Sequence, residues 1–431
     1  MKIGILFDDV GKAGLDYSAP PEGNPGVGGT QYCFLMLMYY LSNIQQEDEI
    51  IVYCWNHKGS VFPKNKNLHI KYINEPEEAI ELSVKDTIDI FLFNFSHMLT
   101  FQSLLEKSSL RCITWVHNWV RGKLLNAMVE CSAVKRVVFL GQEHYDRYID
   151  SPIMDKAVVL PNMFNTEGYI RRDKDLSAVV TYVGALIPSK GFHALAAVWK
   201  DVIRAFPEAK LYVLGAGNLY GTVDGGIEPV FGKLGIADRE YEEQFLKYIT
   251  DKDGKLLPSI HFLGNVGREK IDIYKKTKVG IVNPTGRTEV CPISALEMGA
   301  AEVPVVSKNI NGLPDVVING QTGLLVNSKK QLTQSIIELL SDDEKNKQLG
   351  EHARNHVFSN FNPENITQQW VRVFKDMLED GEVEVISPSK NMRNNFKWAR
   401  VVLYNLKKIP LFHNLPAMIE IEDWISKRLY G

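Results

Sequence analysis

Short runs rich in β-branched and aromatic residues alternate with helical patterns along most of the chain, and the alternation starts twice. The first series opens with KIGILF at Lys2 and passes through IIVYCW, DIFLFNF, CITWVH and RVVFLG to VVLPN at Val158. The second opens with VVTYVG at Val179 and continues through KLYVLG, IHFLG, VGIVNP, VPVVS and TGLLV. Strands joined through helices pair in parallel, with the helices on both faces of the sheet. The expected fold class is therefore α/β, with two doubly wound parallel-sheet, Rossmann-like domains. They are bounded as 1–168 and 178–385, with the charged stretch 169–177 as a linker and 386–431 as a C-terminal helical tail. Ligands of such sheets bind beyond the carboxyl ends of the strands, which puts the expected site in a cleft between the domains.

Composition narrows the function. Among 431 residues, 45% are hydrophobic and 10% aromatic, enough for sizeable cores. A net charge of −3 gives no basic field for nucleic acid. Five cysteines, odd in number and without a C-x-x-C pair, argue against a disulfide framework or a zinc site, so a reducing cytoplasm is expected. The opening MKIGILFDDV lacks the apolar core of a secretory signal. The longest apolar run, 32–41, is half of the ~20 residues a membrane span needs and reads as a buried helix.

The most informative stretch is NPTGRTEVCPISALEMGAAEVPVVSKNINGLPDVV, where Glu289 and Glu297 stand eight positions apart. Pro292 suits the first position of a helix running through Ile293 to about Ala300. Cys291 is a poor cap, so the first backbone N–H groups have no local side-chain acceptor and can bind an anion such as phosphate. Glu289 lies in the loop before this helix and Glu297 further along it, where a carboxylate accepts hydrogen bonds from sugar hydroxyls. The plainer alternative is a solvated loop residue and an exposed helix position.

The same string resembles the donor-binding segment of glycosyltransferase family 4, retaining enzymes of the GT-B fold. Glu289 and Glu297 match the family's E-x7-E spacing, and the following GAAEVPVV, GLPD and NGQTGLLV match its next loops and strands. Val290-Cys291 replaces the usual Gly-Phe. VGALIPSKGFHAL resembles the family's V-G-R-L-x-x-x-K-G segment, with Gly184 retained and Lys190 implied on the donor diphosphate. The family's arginine is Ala185 here, and Arg287 stands close enough in sequence to substitute. GNPGVGGTQY, with Gly26, Gly28 and Gly29, resembles the Gly-Gly loop, and CITWVHNW places His117 and Asn118 at a strand end where the family has a histidine near the donor sugar. Neither a Walker A loop nor a dinucleotide fingerprint fits these glycines.

The resemblance implies a metal-independent hexosyltransferase-like enzyme with no cofactor and a nucleotide-diphosphate sugar, UDP- or GDP-linked, as donor. His117, Glu289 and Lys190 would be catalytic. Gly28, Gly29, Gly184, Arg287, Cys291, Pro292, Ile293, Ser294 and Glu297 would bind the donor. The implied acceptor is a saccharide or a lipid-linked hydroxyl in cell-surface polysaccharide or glycolipid biosynthesis. The missing arginine keeps open a non-catalytic nucleotide-sugar-binding or partner subunit. Two D-x-D triplets, at 173–175 and 251–253, read as solvated turns rather than metal ligands. Residues 218–259 read as an insertion with an amphipathic helix around 239–249. In 388–410, Lys390, Arg393, Lys397, Arg400, Lys407 and Lys408 interleave with aromatic and aliphatic residues. That pattern fits a terminal helix packed on the first domain, peripheral contact with an anionic membrane, or both.

Overall fold

The structure, a computed structural model, describes residues 1–8, 14–25, 27–46, 48–55, 59–173, 176–217, 231–267 and 269–430. Gly26, Lys174, Asp175 and the first part of the insertion, 218–230, lie outside the described residues. The chain divides into two units, Met1–Asn165 with Phe361–Gly431, and Thr166–Asn360. Each is built on one parallel sheet, the doubly wound α/β fold expected from the alternating runs.

The first sheet holds β1 (Lys2–Asp8), β2 (Glu49–Trp55), β3 (Leu68–Ile73), β4 (Ile90–Asn94), β5 (Cys112–Trp115), β6 (Val134–Phe139) and β7 (Ala157–Val159), in the order β3-β2-β1-β4-β5-β6-β7. The middle of β1 and of β2 is buried throughout, because helices cover both faces of a parallel sheet; the strands therefore read as continuous apolar runs. The run 32–41 lies in the helix Gly29–Ile44, which buries Cys33 to Met38 and Leu41. Each fully buried side chain of this kind contributes about 1.5–3 kcal/mol. Among the described residues, no helix is long and apolar enough to cross a membrane.

The helix Pro363–Leu378 packs against Gly29–Ile44 and sets Trp370 edge-on to Trp115, with ring centroids 4.8 Å apart. Asn362 caps it by accepting the N–H of Asn365 at 3.1 Å. Residues 361–385 thus group with the first unit, whereas the sequence reading ended the second domain at 385.

The second sheet holds β8 (Val179–Val183), β9 (Lys210–Leu214), β10 (Ile260–Gly264), β11 (Val279–Ile281), β12 (Val305–Lys308) and β13 (Gly323–Val326), in the order β10-β9-β8-β11-β12-β13. The charged stretch read as a linker is strapped to this unit. Arg172 donates to Asn346 Oδ1 at 2.6 Å, Arg171 pairs with Glu302 at 3.1 Å, and the Asp173 N–H bonds the Lys275 carbonyl. The described part of the insertion forms the helix Arg239–Ile249, capped by Asp238 and buried through Tyr241, Phe245 and Ile249 against the helix Phe192–Ala205. In both sheets the strand order reverses beside the first strand, at β1/β4 and β8/β11, which is where ligands of doubly wound sheets bind.

Candidate functional site

At the second switch point Tyr182 of β8 lies beside Ile281 of β11, so the loops leaving these strands emerge together. The first loop runs from Gly184 and Ala185 through the turn Pro188–Lys190 to Gly191, which is left-handed at φ +77°. A Cβ on Gly191 would sit 2.7 Å from Thr285 Oγ1, so both conformation and space require glycine. The buried Tyr182 hydroxyl donates to the Lys190 carbonyl at 2.9 Å and fixes the loop; burial pushes this phenol well above its ordinary pKa.

The second loop is held by Asn283. Its backbone is left-handed at φ +36°, a conformation asparagine tolerates better than most residues. Its Oδ1 accepts the Gly286 N–H at 2.9 Å. Its Nδ2 donates to the Arg287 carbonyl (2.9 Å), the Ser189 carbonyl (3.1 Å) and Glu289 Oε1 (2.9 Å). Lys190 Nζ reaches the same carboxylate oxygen at 2.6 Å. One asparagine therefore joins both loops to Glu289, which is buried rather than solvated.

The helix Ile293–Ala300 follows, with Pro292 at its cap position and no side chain capping it. Pro292 is buried, while Cys291, Ile293 and Ser294 are half-buried at this end. Glu297, also buried, accepts from Lys270 Nζ at 2.5 Å and from the Tyr274 hydroxyl at 3.0 Å. Burial, and then the Glu297 charge, hold the Tyr274 phenol far above its usual pKa. The Gly312 N–H donates to the Glu289 carbonyl at 3.1 Å, and a Cβ there would lie 1.8 Å from the Val290 oxygen. The GLPD segment thus packs directly on the backbone of the candidate glutamate.

Arg287 is exposed and lines a cavity of about 520 Å³ with His193, Lys308, Lys329 and Tyr248. Among the described residues, no acidic side chain lines it. Burial first, then Arg287 and Lys329, hold the His193 pKa below its usual value. Ala185 is buried, so no cation occupies the position of the family's arginine. Among the described residues, no group of three or more His, Cys, Asp or Glu gathers as a metal cluster.

The remaining candidates, Gly28, Gly29 and His117, belong to the first unit. Gly28 caps the helix Gly29–Ile44; a Cβ there would meet only the mobile end of Gln31, and one on Gly29 would meet nothing within 4 Å. Space does not demand glycine at either position. The His117 ring packs on Trp115 at 4.5 Å and on Phe34 at 6.0 Å. Both ring nitrogens are buried without a hydrogen bond of ordinary geometry, and burial pushes the pKa down to about 3 despite a weak opposing contribution from the Trp115 backbone. The imidazole is therefore neutral. Next to it, Asn118 lines a cavity of about 220 Å³ with Asp8, Thr30, Gln31, Phe34 and Ser96. His97, at the end of β4, faces Asp8 at 3.2 Å.

Sequence reasoning missed Asn283, Lys270 and Tyr274. An asparagine directly after a strand and before a proline was the available signal for the first. Nothing local marks Lys270 or Tyr274, whose partner lies 27 and 23 positions on.

Residues 171–356 match the family of glycosyl transferases group 1. The capsular polysaccharide biosynthesis glycosyltransferase CapM of Staphylococcus aureus is 26% identical over 206 residues, covering 47% of this chain and 47% of CapM. The N-acetyl-alpha-D-glucosaminyl L-malate synthase of Bacillus anthracis is 34% identical over 87 residues, 20% of this chain and 23% of that protein. At 47%, the matched part spans about half the length of CapM, and less of the synthase. Among solved structures, sucrose-phosphate synthase from Thermosynechococcus elongatus superposes with a TM-score of 0.63 at 16% identity, covering 88% of this chain and all of that one. HepE from Anabaena, in complex with UDP and glucose, gives 0.60 at 15% identity, covering 87% of this chain and all of HepE. The fold is GT-B.

Proposed function

We propose that this chain is a retaining glycosyltransferase that moves a sugar from a nucleotide diphosphate donor to a hydroxyl of a saccharide or lipid-linked acceptor. The observation that carries this reading is the pairing of Lys190 with Glu289 beside an uncapped helix start at the second switch point. Transfer passes through an oxocarbenium-like state while negative charge builds on the departing diphosphate, so the protein's contribution is mostly electrostatic. Lys190 and the N–H groups of Ile293 and Ser294 neutralise that charge, with Cys291 and Pro292 shaping the approach and Gly184 leaving room for the phosphates. Glu289, held by Asn283, orients the sugar hydroxyls. Glu297, held by Tyr274, receives the ribose.

Lys270 replaces the cation missing at Ala185. Its ammonium sits on Glu297, four residues and so about 6 Å along the axis from the first residue of the helix. Arg287, which is exposed, is the weaker substitute. With two lysines and a helix start in place, the reaction runs without a metal or other cofactor. The first unit's His117, a neutral imidazole, and its Gly28-Gly29 helix start are the groups assigned to the acceptor. CapM's role in capsular polysaccharide biosynthesis supports a cell-surface saccharide product made in the cytoplasm. HepE, solved with UDP-glucose, favours a UDP-linked over a GDP-linked donor.

The test is release of nucleoside diphosphate from UDP- and GDP-sugars in the presence of simple glycosides, by the native chain and by Glu289→Ala. Release by the native chain that falls sharply in the variant supports transfer. A native chain that binds UDP-sugars but never turns them over would favour the non-catalytic subunit that the buried Ala185 suggests.

A further inference from the structure

The tail 388–431 carries eight Lys and Arg against three Asp and Glu, in a chain whose net charge is −3. Four of those cations have internal partners: Lys407 donates to the Asp150 carbonyl at 2.6 Å, Lys427 pairs with Asp423 at 2.6 Å, and Lys397 and Arg400 are sealed inside. Lys397 pairs with Glu143 at 2.7 Å and Asp146 at 2.6 Å, and Arg400 bonds the Arg147 carbonyl at 2.8 Å and pairs with Glu422. Both side chains are fully buried. Of the two readings the sequence left open, these two cations follow the packed one; their work is to fasten the tail to the first unit.

Fastening that side of the helix Lys397–Lys407 turns its other side outward. Trp398 (56% exposed) and Val402 lie one turn apart on the open side. The turn Pro410–Phe412 and the helix Met418–Tyr430 pack against this helix and expose further large apolar side chains, Leu411 (83%) and Trp424 (59%). Half of the exposed large hydrophobic side chains among the described residues fall in 392–425, including both exposed tryptophans. Cations rim the surface: the Arg428 guanidinium lies 5.1 Å over the Trp424 ring and the Lys408 ammonium 4.2 Å over Tyr404, while Lys390 and Arg393 are exposed.

We propose that this face docks on an anionic phospholipid surface. Aromatic and aliphatic side chains would enter the headgroup boundary, where tryptophan is favoured, and the rim of lysine and arginine would meet lipid phosphates. Charge complementarity selects this occupant, since a second copy would set one basic rim against another. The proposal is independent of the transfer reaction.

The experiment is co-sedimentation of the full chain with phosphatidylcholine vesicles, with and without phosphatidylglycerol, at low and high salt. The native chain sediments with the anionic vesicles at low salt and is released at high salt. The variant W398S/L411S/W424S loses binding at least tenfold, and K408E/R428E loses it on the same vesicles, while both keep the native melting temperature and any donor binding. Absence of binding by the native chain, or unchanged binding by either variant, overturns the proposal. So does a native dimer, seen by sedimentation velocity, that W398S/L411S/W424S converts to monomer, because the face would then be an interface between copies. Loss of donor binding with vesicle binding intact would sink the transferase reading and leave this one standing.

Discussion

Lys190 with Glu289, and Lys397 with Glu143 and Asp146, are the same chemical pairing in two settings. In the second unit the Lys190 side chain is 32% exposed, and its carboxylate partner is shared with an asparagine that holds two loops. In the first unit Lys397 is 2% exposed, sealed with two carboxylates that are equally buried. A sealed lysine cannot exchange its partner for a ligand, because removing either charge strands the other in a low dielectric. A lysine a third open to solvent can turn toward a phosphate and leave Glu289 to its remaining hydrogen bond from Asn283. Accessibility, not the pair itself, separates a fastening from a working group.

The comparison breaks most visibly on the sealed side. Lys397→Met should cost about 3–5 kcal/mol of stability, read by urea unfolding, because Glu143 and Asp146 remain buried without their cation. Lys190→Met should cost less, because the buried Glu289 keeps its hydrogen bond from Asn283; equal losses in the two variants would erase the distinction. On the open side, Glu289→Ala should lower kcat by about 10²-fold or more while shifting the melting temperature little. Asn283→Ala should lower kcat less, by roughly tenfold, since it acts by positioning Glu289, and Asn283→Asp should not restore it because a carboxylate cannot donate to Glu289. A pH effect probes the first unit separately. Burial holds both His117 and His144 at a pKa of about 3, well below the unfolded value. The unfolded chain therefore takes up protons that the folded chain refuses, and stability falls as pH drops from about 6.5 toward 3, by up to about 1.4 kcal/mol per pH unit for each histidine. His117→Phe should flatten that slope. Arg287→Ala is expected to have the least effect, within about 0.5 kcal/mol on stability and well under the loss from Lys270→Met on donor affinity.

The sheets were legible because parallel strands covered on both faces leave long apolar runs, and the helix after Pro292 because proline and a missing cap mark a start locally. The Lys190 and Glu289 loops were legible as motifs, but their meeting depends on β8 and β11 being neighbours, a crossover that no short window contains. Lys397 illustrates the opposite failure. Its basic, aromatic surroundings left packing and surface contact both open, because its partner Glu143 lies 254 positions away and only the fold brings them together. Arg171 and Arg172 carry the same lesson: in a run of charges read as a linker, their partners Glu302 and Asn346 lie far along the chain.

The central claim is that the second unit holds a nucleotide diphosphate between Lys190 and the start of the helix Ile293–Ala300. Calorimetric titration of the native chain with UDP, GDP and ADP, repeated with Lys190→Met and Glu297→Ala, tests it most directly. The account predicts saturable binding of UDP in preference to the others, weakened at least tenfold in each variant. Absence of binding by any of the three, or binding that both variants leave unchanged, would contradict it.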